Sequence, residues 1–283
     1  MIAANRTPAC RYRSDLLAPA KPAEPRRRIP PVIDSTIPHP VVLVHGLCGF
    51  DRLFARRRPV KEYFPGVTAH LTAAGHEVFV PRVSPTASIA VRALELLHAI
   101  RTRFGVRPVH LIGHSLGGLD ARYLTSRLGF GTQAVSLTTV GTPHAGTSFA
   151  DWAVTRFARL FRPIFRSLGL PDDAFFDLTT EACARFNEQT PDVPGVRTAS
   201  VAGECLKPWL GVEWQFSSRL VGKAEGPNDG VVSVASAAWG ERREVWSGDH
   251  LNLVNWPNRL MVRAGEWHDR GADYVGLLHR FNR

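Results

Sequence analysis

The stretch Val109-His110-Leu111-Ile112-Gly113-His114-Ser115-Leu116-Gly117-Gly118-Leu119-Asp120 constrains this chain more than any other. A short apolar run ends on a glycine, a serine follows, and two more glycines open what reads as a helix, with Leu119, Tyr123 and Leu124 along one face. Glycine in a helix interior is roughly 0.5–1 kcal/mol worse than alanine, so helix stability did not select this helix start. The spacing Gly113-x-Ser115-x-Gly117 meets a steric demand instead. A strand that turns sharply into a helix strains the backbone of the turn residue, and small residues two before and two after it keep the adjoining turns from colliding. The helix start also aims backbone N–H groups at the surroundings of the serine, favouring negative charge that develops there.

Around this unit the chain alternates strand and helix signals. Val41–Val44 is a β-branched apolar run suited to a strand buried on both faces, and His45–Gly49 is a turn. Val67–Ala74 reads as a helix stopped at Gly75, Glu77–Pro81 as a strand, and Ala87–Phe104 as an amphipathic helix. Strands are predicted at Val109–Ile112, Val135–Val140, Arg197–Ala202 and Glu244–Trp246, with a single closing helix over Arg259–Phe281. This alternation predicts an α/β fold built on a mostly parallel, doubly wound sheet. Residues 1–37, rich in Pro, Ala and Arg without periodicity, read as a mobile arm, leaving 38–283 as the domain. Residues 148–190 interrupt the rhythm. There Trp152, Phe157, Leu160, Phe161, Ile164, Phe165 and Leu168 fall at helical spacing between Arg156, Arg159, Arg162 and Arg166, with a break expected at Pro163. Two readings stay open: a helix covering the sheet, or a lid whose apolar face meets a lipid surface.

With 44% apolar and 21% charged residues, the chain has material for a large core. Its net charge of +10 comes almost wholly from arginine, since only Lys21, Lys61, Lys207 and Lys223 are lysines. A solvated basic surface and attraction to an anionic lipid interface both account for it. Nucleic acid is not an expected partner, because no basic motif interleaved with aromatic residues occurs. Cys10, Cys48, Cys183 and Cys205 lack CxxC spacing, which argues against zinc. A Cys183–Cys205 disulfide and two separate buried thiols are equally compatible with it. No apolar stretch reaches the ~18–20 residues of a transmembrane helix. No secretory leader is visible, so the expectation is a protein that stays inside the cell. Nothing here indicates an oligomeric state.

A serine hydroxyl becomes nucleophilic only beside a base, usually a histidine that an acid holds in place. After an elbow serine the chain order is acid, then histidine. Of the later histidines, His250 lies in a polar loop between a short strand and the terminal helix, where the base belongs. His268 and His279 fall in that helix, and His144 is expected near the pocket wall. Among Asp172, Asp173, Asp177, Asp192, Asp229 and Asp249, the tight loop Gly226-Pro227-Asn228-Asp229-Gly230 is best built to project a carboxylate, although Asp229 also suits an Asx turn. Asp249 is too near His250 in sequence to reach its ring in the required geometry. The candidate set is therefore Ser115, Asp229 and His250. Backbone N–H groups of Leu116 and of Leu47, in the turn after Val41–Val44, would form an oxyanion hole.

On these residues the chain resembles the bacterial triacylglycerol lipases of the α/β-hydrolase superfamily, the Pseudomonas, Burkholderia and Proteus group. The matching blocks are VLVHGLCGFD (42–51), GHSLGGLDARYL (113–124), VGTPHAGT (140–147), LTTEACARFNEQTP (178–191), NDGVVS (228–233) and DHLNLVN (249–255). The resemblance implies the α/β-hydrolase fold, hydrolysis of acyl esters or lipids through an acyl-enzyme, and the same triad and oxyanion residues. Acyl transfer, phospholipid or thioester cleavage, and non-catalytic lipid binding on the same fold are the alternatives. Members of this family commonly hold a structural calcium, partly through an aspartate two residues after the histidine. Here Asn252 occupies that position, and Trp256 a later one that often carries glutamine. These departures count against calcium, and no cofactor is expected.

Overall fold

The computed structural model of the chain describes residues 38–49, 52–55, 58–167, 171–206 and 210–279. The arm 1–37, Cys10, Leu168 and the end of the expected terminal helix lie outside the described residues.

Strand β1 (Val41–Val44) is wholly buried. A two-stranded antiparallel hairpin follows, β2 (Arg52–Ala55) with β3 (Arg58–Glu62). The sequence reading found no element there, because the stretch is dominated by arginines and contains Pro59. Next come helix α1 (Val67–Ala73), the short strand β4 (Val78–Phe79) and helix α2 (Ile89–Phe104). Ser88 caps α2 by accepting a hydrogen bond from Val91 N. Strand β5 (Val109–His114) leads through Ser115 into helix α3 (Leu116–Arg127), and strand β6 (Ala134–Val140) follows.

The interrupting segment forms helices α4 (Ser148–Ser167), α5 (Asp173–Asp177) and α6 (Thr180–Gln189). The expected break at Pro163 does not occur. Helix α4 runs through it, so the missing N–H bond falls in the last turns, where the apolar spacing of the sequence continues unbroken. Strand β7 (Arg197–Glu204), helices α7 (Gln215–Ala224) and α8 (Val234–Ala237), and strand β8 (Arg242–Ser247) complete the central order.

The single terminal helix also needs correcting. It is two helices, α9 (Arg259–Ala264) and α10 (Gly271–His279). Gly265, at φ 75°, takes the left-handed position that ends α9, with its N–H on the Val262 carbonyl. Asn255 and Asp269 accept the N–H groups of Arg270 and Gly271, which start α10. His268 therefore lies in the connection rather than in a helix.

Six strands form one parallel sheet in the order β4-β1-β5-β6-β7-β8. The alternation of side chains along each strand feeds two cores. On one face Val41, Leu43, Ile112, Val140 and Val201 pack with Val67 and Leu71 of α1 and with Tyr274, Leu277 and Leu278 of α10. On the other, Val42, Val44, Val109 and Leu111 pack with Ala93, Leu96 and Ile100 of α2 and with Ala121 and Leu124 of α3. Each fully buried aliphatic side chain contributes about 1.5–3 kcal/mol of transfer free energy. After β1 the chain steps to β4 on one side, then to β5 on the other. Such a switch point leaves a crevice at the carboxyl ends of β1 and β5, where α/β sheets bind ligands.

Cys183 and Cys205 are separate thiols. Cys183 is buried, with Sγ on the carbonyls of Pro143 and Asp177, and burial pushes its thiol up to about 12. Among the described residues, no helix is long and apolar enough to cross a membrane.

Candidate active site

The β5–α3 turn holds Ser115 at φ 54°, ψ −128°, a conformation costly for any residue with a side chain. The turn is tied on both sides. Ser115 N donates to the Val140 carbonyl at 2.9 Å, and the Ser115 carbonyl accepts from Thr142 Oγ1 at 2.9 Å and Gly118 N at 3.0 Å. The glycines of the motif are sterically required. A Cβ on Gly113 would lie 2.5 Å from the Gly117 carbonyl oxygen, and one on Gly117 would lie 2.5 Å from that of Val44. Gly46, after β1, is also tightly packed: its Cβ would meet Ser115 Cβ at 2.8 Å.

That turn is fixed by a buried arginine the sequence reading did not single out. Arg92 of α2 donates to the His45 carbonyl at 2.7 Å, to the Ser84 carbonyl at 2.6 Å and to Asp120 Oδ2 at 2.8 Å. Leu47 therefore leaves an anchored backbone, and Leu116 opens α3, where first-turn N–H groups have no partner inside the helix.

Asp229 and His250 meet across loops that follow β7 and β8. Asp229 Oδ2 lies 2.6 Å from His250 Nδ1, and His250 N donates to the Asp229 carbonyl at 2.8 Å. Asp229 Oδ1 accepts from Val231 N and Val232 N at 3.0 and 2.8 Å. The Asx turn and the bond to His250 thus use opposite oxygens of one buried carboxylate. Ser115 and His250 line a single apolar cavity of about 720 Å³, together with Leu47, Tyr63, Trp152, Trp214 and Trp256. Leu47, Ser115 and His250 thus share one cavity at the carboxyl end of the sheet, with Asp229 bonded to His250 and Leu116 next to Ser115.

The remaining candidates separate by contact. Asp249 braces the loop, taking Leu251 N at 3.0 Å, Asn252 N at 2.9 Å and Asn258 Nδ2 at 2.7 Å. Burial pushes its carboxyl up. Asp172, Asp173 and Asp177 belong to the α5 region, where Asp177 Oδ2 accepts the Ile89 N–H at 2.8 Å, and Asp192 takes the Trp239 indole at 3.0 Å. His144, expected by the pocket wall, packs away from it. Its ring is stacked on Trp239 and bonded to Thr139 Oγ1, while its neighbour Pro143 lines the cavity. Burial lowers the His144 pKa well below the usual 6.5.

Sequence reasoning missed Tyr63 and His114, whose side chains bond each other at 2.8 Å next to Ser115. Nothing in the spacing marks Tyr63. His114 adjoins the serine, but its adjacency carried no role.

The loop offers calcium little. Asn252 Oδ1 accepts Asp249 N at 3.0 Å and Asn252 Nδ2 donates to the Trp256 carbonyl at 2.8 Å. Both ends of the amide and both Asp249 oxygens are committed, whereas calcium takes six to eight oxygen ligands. Among the described residues, no group of three or more His, Cys, Asp or Glu could hold a metal ion. Asn252 and Asp249 therefore do not make a calcium donor set.

Comparison with known proteins agrees with this architecture. The model of the alpha/beta hydrolase family matches residues 41–279. The chain is 33% identical to the triacylglycerol lipase of Pseudomonas fragi, over 77% of this chain and 88% of that one. It is 31% identical to triacylglycerol lipase 2 of Saccharomyces cerevisiae, over 78% and 82%. In fold it is similar to the Staphylococcus hyicus lipase, with a TM-score of 0.66 at 19% identity over 86% of this chain and 96% of that one. The matched family model spans both strand ends that carry the site, and the chain belongs to the alpha/beta hydrolase family, within its bacterial-type triacylglycerol lipase group.

Proposed function

We propose that this carboxylic ester hydrolase cleaves acyl esters through Ser115, His250 and Asp229. Ser115 Oγ attacks the acyl carbonyl while His250 Nε2 takes its proton. Asp229, bonded to Nδ1, holds the ring and stabilises the imidazolium. The N–H groups of Leu47 and Leu116 receive the oxyanion of the tetrahedral intermediate. Its collapse breaks the ester C–O bond, and His250 returns the proton to the departing alcohol. Water, deprotonated by His250, then attacks the acyl-enzyme, and the acid and free Ser115 are regenerated.

The observation that carries this reading is the 2.6 Å contact between Asp229 and His250, with His250 and the strained Ser115 on one apolar cavity. Trp152 of α4 and Phe175 of α5 also line it, which supports a cap over an apolar acyl chain. Exposed Phe216, 4.7 Å from the ring of the cavity-lining Trp152, supports contact with a lipid interface. The loop around His250 is held by the Asn252 and Asp249 bonds and needs no calcium.

The test is hydrolysis of p-nitrophenyl esters of increasing acyl length by wild type and Ser115→Ala. Wild type turns over apolar chains and is labelled by a fluorophosphonate. Ser115→Ala falls by on the order of 10⁴-fold or more, and undiminished turnover in that variant would sink the assignment. Product analysis with competing alcohols separates hydrolysis from acyl transfer.

A further inference from the structure

Under the nucleophile lies an unbroken line of buried hydrogen bonds that the triad does not use. Gly46 N donates to Tyr63 Oη at 3.0 Å. Tyr63 Oη and His114 Nδ1 are 2.8 Å apart, and His114 Nε2 is 3.1 Å from the His250 carbonyl oxygen. The His114 and His250 ring centroids are 4.5 Å apart.

The direction of this line follows from its ends. A backbone carbonyl only accepts, so His114 must carry its proton on Nε2. Burial lowers the His114 pKa well below 6.5, and the nearby His250 lowers it further, so the ring is neutral and Nδ1 is an acceptor. Tyr63 must then donate to Nδ1, which leaves its lone pairs for Gly46 N–H. Along this line each group then meets a complementary partner, whereas the alternative tautomer would set His114 Nε2 and the His250 carbonyl, two acceptors, against each other. The line connects the turn just before Leu47 to the backbone of His250, and it passes through the residue that precedes Ser115.

We propose that Tyr63 and His114 are positioning residues that lock the backbone of His250 in register with the turn carrying Leu47. This rests on the triad reading above. His250 is then gripped at three atoms: its N–H by the Asp229 carbonyl, its Nδ1 by Asp229 Oδ2 and its carbonyl by His114. A ring held at Nδ1 alone could still swing toward or away from Ser115. A misalignment of about 1 Å between reacting groups lowers rate by on the order of 100-fold. The neutral state of His114 also matters, because a second imidazolium at 4.5 Å would oppose the charge that His250 acquires.

Three variants test this: Tyr63→Phe, His114→Leu and His114→Gln, assayed on p-nitrophenyl butyrate. Tyr63→Phe keeps the ring in the cavity wall but removes the O–H. His114→Gln keeps an N–H donor toward the His250 carbonyl. The expected kcat falls roughly tenfold in Tyr63→Phe and roughly 100-fold in His114→Leu, with KM within about twofold of wild type. His114→Gln recovers most of the loss. In proton NMR, the low-field resonance of the His250–Asp229 bond is sharp in wild type and broadened in His114→Leu. If His114→Leu fails to fold, Tyr63→Phe and His114→Gln decide alone. Wild-type kcat in Tyr63→Phe, or a His114→Gln variant as impaired as His114→Leu, overturns the proposal while leaving the triad intact. A wild type that resists fluorophosphonate labelling overturns the triad reading and this proposal together.

Discussion

The two halves of the site are built by different physics. The Ser115 half, residues 109–127, is contiguous in sequence and held by close contact at its glycines: Gly113 against the Gly117 backbone, Gly117 against the Val44 backbone, Gly118 against the Thr142 side chain. The base half is assembled from distant loops by polar side chains. His250 bonds Asp229, 21 residues away, and His114, 136 away, while Asp249, Asn252 and Asn258 brace the loop between them. Strain at Ser115 is thus enforced by sterics that water does not weaken, together with the hydrogen bonds to Val140 and Thr142. Register at His250 depends on hydrogen bonds, each worth about 0.5–1.5 kcal/mol net. The first half resists drift of its reactive atom, and the second concentrates its vulnerability in single polar atoms.

The largest expected effect breaks the polar half at its centre. Asp229→Asn keeps the Oδ1 acceptor for Val231 and Val232 but presents the wrong group to His250 Nδ1. Steady-state kinetics will show kcat reduced by about 10⁴-fold, with the melting temperature nearly unchanged. A loss of less than about tenfold would remove Asp229 from the acid role.

Gly117→Ala tests the steric half. Its Cβ meets the Val44 and His45 carbonyl oxygens at 2.5 and 2.7 Å, so backbone must move. Chemical unfolding should show a loss of about 1–3 kcal/mol, with activity falling alongside. Wild-type stability and turnover together would show that the elbow tolerates bulk and that the contrast is overstated.

Acid probes a polar group buried in that same half. Burial in β5 lowers the His110 pKa to about 3 from 6.5, with nearby His39 and His76 adding to the effect. The folded state refuses a proton that the unfolded chain binds, so stability is lost as pH falls from 6.5 toward 3. The slope for this group reaches about 1.4 kcal/mol per pH unit. Buried carboxylates such as Asp120, raised to about 6, act in the opposite sense. The test is therefore the difference between wild type and His110→Gln in urea unfolding at pH 7, 6 and 5. Parallel profiles would refute it.

Asn258→Ala removes the donor to Asp249 Oδ2 and the N-cap of α9. A loss of about 0.5–2 kcal/mol is expected, with kcat lowered more than KM is changed. The smallest effect is none: EDTA should leave activity and melting temperature unaltered, and added calcium should restore nothing. A chelator-sensitive enzyme would mean that the amide brace around Asn252 does not carry the loop.

The strained turn at Ser115 is legible in the sequence because its cause is local. Gly113, Ser115 and Gly117 follow each other, and the steric demand on them is visible as a departure from helix propensity. Asp229 and His250 were readable from chain order and loop chemistry, although they meet only through tertiary contact. Tyr63 and Arg92 were not. A tyrosine after a run of arginines and an arginine inside an amphipathic helix each have an ordinary surface reading. His144 was misjudged because proximity in sequence to a cavity-lining residue does not say which way a ring turns. The weight of apolar residues over 259–281 predicts one closing helix and masks the stop at Gly265.

The sequence alone determined the alternation of buried strands and amphipathic helices, the strained serine and the order of serine, acid and histidine. These follow from periodicity and from short-range sterics, which act between residues close in the chain. Only the tertiary structure decided that His114 faces the His250 carbonyl, that Arg92 holds the His45 carbonyl and that Asn252 spends both ends of its amide on the loop. A hydrogen bond needs a partner within about 3.5 Å at a favourable angle, and for residues far apart in sequence that condition exists only after the chain has folded.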